Sequence, residues 1–469
     1  MQQPSANDRH VLMITYVFPP SAWVGVHRTL KYCKYLGEHG WIPVVLTPRT
    51  TGVAFKDDRL LAQVPPYVQI HRTFDFDPAK IEMKLAERKL KRLRDKGLWP
   101  PRKEAAATDE EAKDNAPARP SLWKRVKETI KSLLKDSPDS HVFWLPFAFV
   151  RGVYILLTRR IDVVYSTSPP HSTHMVAYLL AKCFRKPHVL DFRDPWCVIG
   201  SGSAGKPAPK LQWVLRWETR AKRAIVRNAA HIVAVSKGER DQLRQEYPEV
   251  EPARFTCITN GYDPADFASV SGDIEKSQKL VIIHAGTIYP GIAGEFFEAL
   301  QRLVSAQPNI AQAMEVRLVG EIDFEYFETV RTLEATGLVK VYGLRPHAET
   351  LNLVSGSDLL LILMGGNYFN PAHLPSKMFE YLHAAKPILA IARDGELAEV
   401  ARNSGLGIVV SPDDVDGIVQ TLLSIAEEHA TGQFRREPDR AYIQSFERAS
   451  LAQQLAVVLA RVVSEREQA

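Results

Sequence analysis

Residues 374–392 read L-P-S-K-M-F-E-Y-L-H-A-A-K-P-I-L-A-I-A: a proline–serine turn, a helix opening on Lys377 with Glu380 one turn on, and an apolar strand. Each piece suits a diphosphate. Pro375 and Ser376 lead into the helix, serine is a favoured N-cap, and N–H groups at a helix start attract anions, as does a lysine beside them. Glu380 is then placed to accept hydrogen bonds from ribose hydroxyls. The same two charges also fit an i,i+3 surface pair worth only about 0.2–0.5 kcal/mol. Taken alone, the stretch leaves both readings open.

Other candidates stand at strand-to-helix passages. In Y-V-F-P-P-S-A-W-V-G-V-H-R-T-L-K-Y (16–32), Gly25 lets backbone approach a ligand, and His27, Arg28 and Lys31 add positive charge. The pattern lacks G-x-G-x-x-G, so a nicotinamide reading has little support, and a plain βα turn is the alternative. S-T-S-P-P-H-S-T-H-M (166–175) brings His171 and His174 together. No H-E-x-x-H accompanies them, which favours polar contact with a substrate over a metal site. D-F-R-D-P-W (191–196) offers Asp191 or Asp194 as a general base and Arg193 as a bidentate phosphate ligand. A structural bridge between Arg193 and either aspartate is the competing reading. H-A-G-T-I-Y-P-G (284–291) places Gly286 where a backbone amide meets a phosphate. P-loop, nucleophile-elbow and kinase signatures are absent.

Two series of short apolar runs alternate with helical patterns and would position these residues. The first comprises 11–18, 43–48, 68–72, 163–168, 188–192, 231–236 and 255–259; the second 280–285, 315–319, 339–342, 359–364, 387–392 and 407–410. Strand–helix alternation predicts βαβ units, parallel sheets and an α/β protein of two doubly wound halves, with ligands at the carboxyl ends of the strands. The join falls near 263–279, and a last helix spans about 449–464.

A chain of 469 residues is too long for one ordinary core. The net charge of +6, spread over 60 basic and 54 acidic residues, gives no argument for nucleic acid. Four separated cysteines without a C-x-x-C pair argue against a metal knuckle or a disulfide framework and suit a reducing cytosol. The opening M-Q-Q-P-S-A-N-D-R-H lacks a signal-peptide h-region, and no run reaches the ~20 apolar residues of a membrane span. One insertion, about 77–139, breaks the rhythm with a basic run, an alanine- and acid-rich linker, and S-L-W-K-R-V-K-E-T-I-K-S-L-L-K. That last stretch reads as a basic amphipathic helix, suited either to an anionic membrane or to packing on its own domain.

Together the segments T-Y-V-F-P-P…G-V-H-R-T-L-K-Y, S-T-S-P-P-H-S-T-H, D-F-R-D-P-W, N-G-Y-D, H-A-G-T-I-Y-P-G and L-P-S-K-M-F-E-Y-L-H-A-A-K-P-I-L-A resemble the GT-B glycosyltransferases of the family-4-like group. The resemblance implies two Rossmann-like domains facing across a cleft. Residues 1–265, with the insertion, would bind acceptor, 270–445 would bind a nucleotide sugar, and 446–469 would cross back to the first domain. It implies sugar transfer to a glycan or lipid-linked acceptor in cell-surface polysaccharide synthesis. Retention of anomeric configuration is favoured over inversion. No cofactor, metal or nucleic acid is expected, and the location is cytoplasmic, with peripheral membrane contact through residues 78–136. Lys377, Glu380, Gly286, Ser376, Pro375 and Arg193 would serve the donor; Asp194, Asp191, His174 and His171 are the catalytic candidates; and Gly25, His27 and Arg28 line the acceptor or cleft loop. Glu380 matches the second glutamate of the family's E-x7-E motif, but Ala372 occupies the first position. The arginine and lysine usual after the first C-terminal-domain strand are also missing, which shifts diphosphate binding onto Lys377. A nucleotide-sugar epimerase of the same fold and a non-catalytic GT-B-like partner protein are the rival readings.

Overall fold

The computed structural model describes residues 8–21, 25–49, 56–75, 139, 141–196, 212–268, 277–365 and 370–468. The basic run and amphipathic helix expected within 77–139 therefore lie outside the described residues. The expected strands all have counterparts.

The N-terminal series runs β1 (Arg9–Ile14), α1 (Val26–Tyr35), β2 (Trp41–Pro48), α2 (Asp58–Ala62), β3 (Gln69–Thr73), α3 (Leu145–Thr158), β4 (Val163–Ser168), α4 (Ser172–Cys183), β5 (His188–Phe192), α5 (Gln212–Asn228), β6 (His231–Ala234), α6 (Lys237–Glu246) and β7 (Phe255–Cys257). These strands form one sheet in the order β3-β2-β1-β4-β5-β6-β7. The pairings from β3 through β5 are parallel. Every residue of β4 and β5 is buried, as a central parallel strand covered on both faces requires. Strand order reverses between β1 and β4, the switch point at which such sheets bind ligands.

The second series repeats the plan: β8 (Leu280–Ala285), α7 (Gly294–Ala306), α8 (Pro308–Gln312), β9 (Met314–Val319), α9 (Phe327–Ala335), β10 (Val339–Gly343), α10 (His347–Ser355), β11 (Leu359–Met364), α11 (Lys377–Ala384), β12 (Ile388–Ala392), α12 (Glu396–Asn403), β13 (Gly407–Val410) and α13 (Val415–Ala430). Its sheet is parallel throughout, in the order β10-β9-β8-β11-β12-β13. The switch point lies between β8 and β11. Apolar clusters fill both faces, one built on Phe296, Phe297 and Leu300, the other on Met378, Phe379 and Leu382. The apolar side of α11 thus packs inward and its Lys377–Glu380 edge stays partly accessible. Short α14 (Arg440–Gln444) and long α15 (Arg448–Gln468) close the chain.

Two compact units result. Met1–Ile232, Tyr247–Arg254 and Leu459–Ala469 form the first, and Val233–Glu246 and Phe255–Val458 the second. The end of α15 is tied within the first unit by Arg461, whose Nη2 donates to His231 Nδ1 at 2.6 Å and to the Ala253 carbonyl at 3.0 Å.

Candidate functional site

In the second unit, the switch point is built around a glycine, a histidine and a lysine. Gly286 follows β8 with φ of +133°, where glycine is strongly preferred. A Cβ added there would also come within 2.6 Å of Lys377 Nζ, so conformation and space both call for glycine. The ammonium lies over this glycine, 3.0 Å from His284 Nε2. His284 is wholly buried, and its Nδ1 stands 3.1 Å from the Leu361 carbonyl. A carbonyl only accepts, so Nδ1 carries the proton and Nε2 is left to accept from Lys377. Burial, then the Lys377 charge, hold His284 well below the usual histidine range despite the opposing hydrogen bond to Leu361. Burial pushes Lys377 down to about 8, with the Glu380 carboxylate opposing it.

Tyr381 registers α11 against the sheet. Its hydroxyl accepts from the Ala285 amide at 2.9 Å and donates to the Leu361 carbonyl at 3.4 Å. Glu380 turns to His347 at the start of α10, with Oε1 2.9 Å from Nε2. Lys377 and Glu380 thus take separate partners, and the surface-pair reading does not describe them. Ser376 occupies the N-cap position but has helical dihedrals, φ −58° and ψ −32°, and its side chain makes no capping bond. Capping needs an extended residue, so the N-cap expectation for Ser376 is corrected. The amides of Met378 and Phe379 bond to the carbonyls of Pro375 and Ser376, concentrating the positive charge of this turn on Lys377. Beside the ends of β11 and β12 a hollow of about 20 Å³ is lined in part by Met364, Asn370, His373, Arg393 and Leu397.

The first unit has its own polar cluster at the switch point between β1 and β4. Arg193, just after β5, donates from Nε to the Ser168 carbonyl at 2.9 Å and from Nη2 to the Pro169 carbonyl at 2.8 Å. Its guanidinium lies against Gly25 at the start of α1, where a Cβ would stand 2.0 Å from Nη1. Gly25 is small there for lack of room, since its φ of −64° suits any residue. Arg28 is fully buried and grips Asp191 bidentately, at 2.8 and 2.7 Å. The Tyr165 hydroxyl donates to the same carboxylate. Asp191 is therefore a saturated structural anion, a correction to its candidacy as a base, and the bridging arginine is Arg28 where Arg193 had been considered. Asp194 remains exposed.

The two histidines are brought together but kept neutral. His171 stacks on Trp196, with centroids 5.0 Å apart and planes at 2°, and burial followed by the charges of Lys222 and Arg193 pushes it down to about 3. His174 is fully buried, its Nδ1 2.7 Å from Ser166 Oγ, which also meets His188 Nε2 at 2.8 Å. Desolvation, reinforced by His171 and His188, keeps His174 well below its ordinary range. Such groups hold hydrogen bonds in fixed directions and are poor proton acceptors at neutral pH. His27 borders the same loop as the second residue of α1. His284, His347, Tyr381, Tyr165 and Ser166 escaped sequence reasoning; H-A-G-T at a strand end was the available signal for His284.

Residues 102–261 match the family described as glycosyl transferase 4-like domain. Among solved structures, HepE of Anabaena in complex with UDP aligns over 97% of this chain and 100% of its own, at 14% identity and a TM-score of 0.53. The chain has the GT-B fold, and part of its N-terminal half is similar to a glycosyl transferase 4-like domain. The lipopolysaccharide outer core galactosyltransferase WaaB aligns with this GT-B chain over 96% of its length and 99% of WaaB, at 12% identity and a TM-score of 0.52. WaaG, a glycosyltransferase involved in lipopolysaccharide biosynthesis, does so over 96% and 99%, at 13% and 0.51. A search of curated protein sequences finds no match.

Proposed function

We propose that this protein transfers a sugar from a nucleoside diphosphate donor to a glycan or lipid-linked acceptor of a cell-surface polysaccharide. The observation that carries the reading is the Lys377 ammonium, held by His284 directly above Gly286 at the switch point of the second sheet. A diphosphate leaving group develops negative charge as the glycosidic bond breaks, and a pre-positioned cation stabilises that charge without reorganising. Gly286 lets the phosphates approach the backbone. Glu380, oriented by His347, accepts from ribose hydroxyls. HepE, similar in fold, was crystallised with UDP and with UDP-glucose, which supports the donor class.

Retention of configuration is favoured on the family-4-like resemblance; Asp191, held by Arg28, is not free to act as an inverting base, whereas Asp194 is exposed. Arg193, expected to serve the donor, is reassigned to the acceptor side because its Nε and Nη2 are committed to the Ser168 and Pro169 carbonyls; with Gly25, and with His27, Arg28, His171 and His174 around them, it forms the acceptor-side floor of the first unit. Asp194 is the carboxylate left for proton transfer. The protein acts without a metal cofactor at the inner face of the membrane, where residues 78–136 add a peripheral contact.

The test is donor binding and turnover by wild type and Lys377→Ala. The proposal expects nucleoside diphosphate release to require an acceptor and to collapse in the variant. Interconversion of the nucleotide sugar with no acceptor would establish an epimerase instead. Thermal stabilisation by a nucleoside diphosphate, with no turnover on any acceptor, would leave a binding protein.

A further inference from the structure

The strand order of the second sheet gives the donor a direction. Glu380, the carboxylate assigned to the ribose, turns toward His347, which opens α10 shortly after β10 at one edge of the sheet. Lys377 and Gly286, assigned to the diphosphate, stand where β8 and β11 meet. With the nucleoside on the β10 side, the sugar leaves the diphosphate in the opposite direction, toward β12, which lies one strand beyond β11 and about 5 Å on. The hollow at the ends of β11 and β12 opens there.

At about 20 Å³ the hollow takes a group of roughly water size, so a sugar ring stays in the open and one substituent enters. Its walls are fixed. The Glu396 amide donates to the Pro371 carbonyl at 2.9 Å, and a Cβ on Gly395 would stand 2.9 Å from that same oxygen, so the backbones before α11 and after β12 touch with no side chain between them. The polar side chains on these walls are Asn370, His373 and Arg393, and none of the described lining residues is acidic. A sugar hydroxyl both donates and accepts, and a lining with an arginine and no carboxylate serves only half of that exchange. A carboxylate only accepts, and a guanidinium binds it through two parallel hydrogen bonds. Arg393 now makes that contact with Asp413, at 2.9 and 2.7 Å, on a side chain that is 61% exposed. Such a surface pair contributes little, and Asp413 returns to water readily when another carboxylate takes its place. Glu295 also draws the Arg393 charge, so an incoming carboxylate has to displace Asp413 and cannot simply join it.

We infer, on the donor site proposed at Lys377 and Gly286, that Arg393 selects the donor sugar and that this sugar is a hexuronate, whose carboxylate enters the hollow and takes the guanidinium from Asp413. Wild type, Arg393→Gln and Asp413→Asn are titrated calorimetrically with UDP, GDP and dTDP. On each nucleotide that wild type binds, the neutral and acidic sugars are then compared: UDP-glucose with UDP-glucuronate, GDP-mannose with GDP-mannuronate, or dTDP-glucose with dTDP-glucuronate. Wild type should bind the uronate at least about tenfold more tightly than the neutral sugar. Arg393→Gln should lose that preference while keeping the wild-type melting temperature and affinity for the bare nucleoside diphosphate. Asp413→Asn removes the competing carboxylate and should tighten uronate binding severalfold without changing binding of the neutral sugar, a shift that a merely structural ion pair would not produce. Equal or weaker binding of the uronate by wild type would overturn the inference and leave the donor site standing, as would a preference that survives in Arg393→Gln. Binding of none of the three nucleotides would overturn the donor site itself, and the inference with it.

Discussion

Lys377→Met removes the ammonium while keeping most of the stem, and it separates binding from folding. In the folded chain the lysine is pushed down to about 8, so at neutral pH its charge is held against a net cost of roughly 3 kcal/mol, desolvation less the attraction of Glu380. Methionine relieves that cost but leaves His284 Nε2 without its donor, a penalty of about 1–3 kcal/mol for a buried acceptor. The two effects nearly cancel, and the melting temperature should move by no more than about 4 °C. Donor affinity behaves differently. A charged hydrogen bond to a phosphate is worth about 1.5–3 kcal/mol, so binding of a nucleoside diphosphate should weaken roughly tenfold to a hundredfold or more. Calorimetric titration of both proteins with UDP, GDP and dTDP reads the affinity, and scanning calorimetry reads the stability. Unchanged affinity for whichever nucleotide wild type binds would refute the reasoning.

Donor affinity should be flat below about pH 8 and fall close to tenfold per pH unit above it as Lys377 loses its proton, since the binding form is the ammonium. His284 is already neutral throughout that range, so Lys377→Arg should abolish the bend, and titrations across pH check both. Asp191→Asn should destabilise the first unit by about 3–5 kcal/mol by leaving Arg28 buried without its counter-charge, seen as a lower denaturant midpoint. Gly25→Ala should push Arg193 off the α1 start, costing about 1–3 kcal/mol in stability and lowering turnover while donor affinity stays at the wild-type value. Glu380→Gln should weaken nucleoside diphosphate binding but leave inorganic pyrophosphate inhibition unaltered, because the carboxylate is assigned to the ribose.

The strands were legible because central parallel strands are short apolar runs bounded by turn residues, as β4, β11 and β12 show. Gly286, Lys377 and Glu380 were legible as residue types at a strand end and a helix start. Their partners were not. His284 meets Lys377 across 93 residues, and Arg28 meets Asp191 across 163, contacts that exist only once strand order brings β8 beside β11 and folds α1 over β5. Local spacing made Lys377–Glu380 and Arg193–Asp191 the natural pairs, and sheet topology overrode both. Ser376 misled for a different reason: its backbone is already helical, so a good capping residue type is turned away from the amides it would cap.

The most direct measurement of the central claim is a crystal structure of the protein with the nucleoside diphosphate it binds best. The account predicts a phosphate oxygen within hydrogen-bond distance of Lys377 Nζ, the diphosphate against the Gly286 backbone, and the ribose hydroxyls on Glu380. A diphosphate bound away from Lys377, or a Lys377 still turned wholly to His284 beside an occupied site, would contradict it.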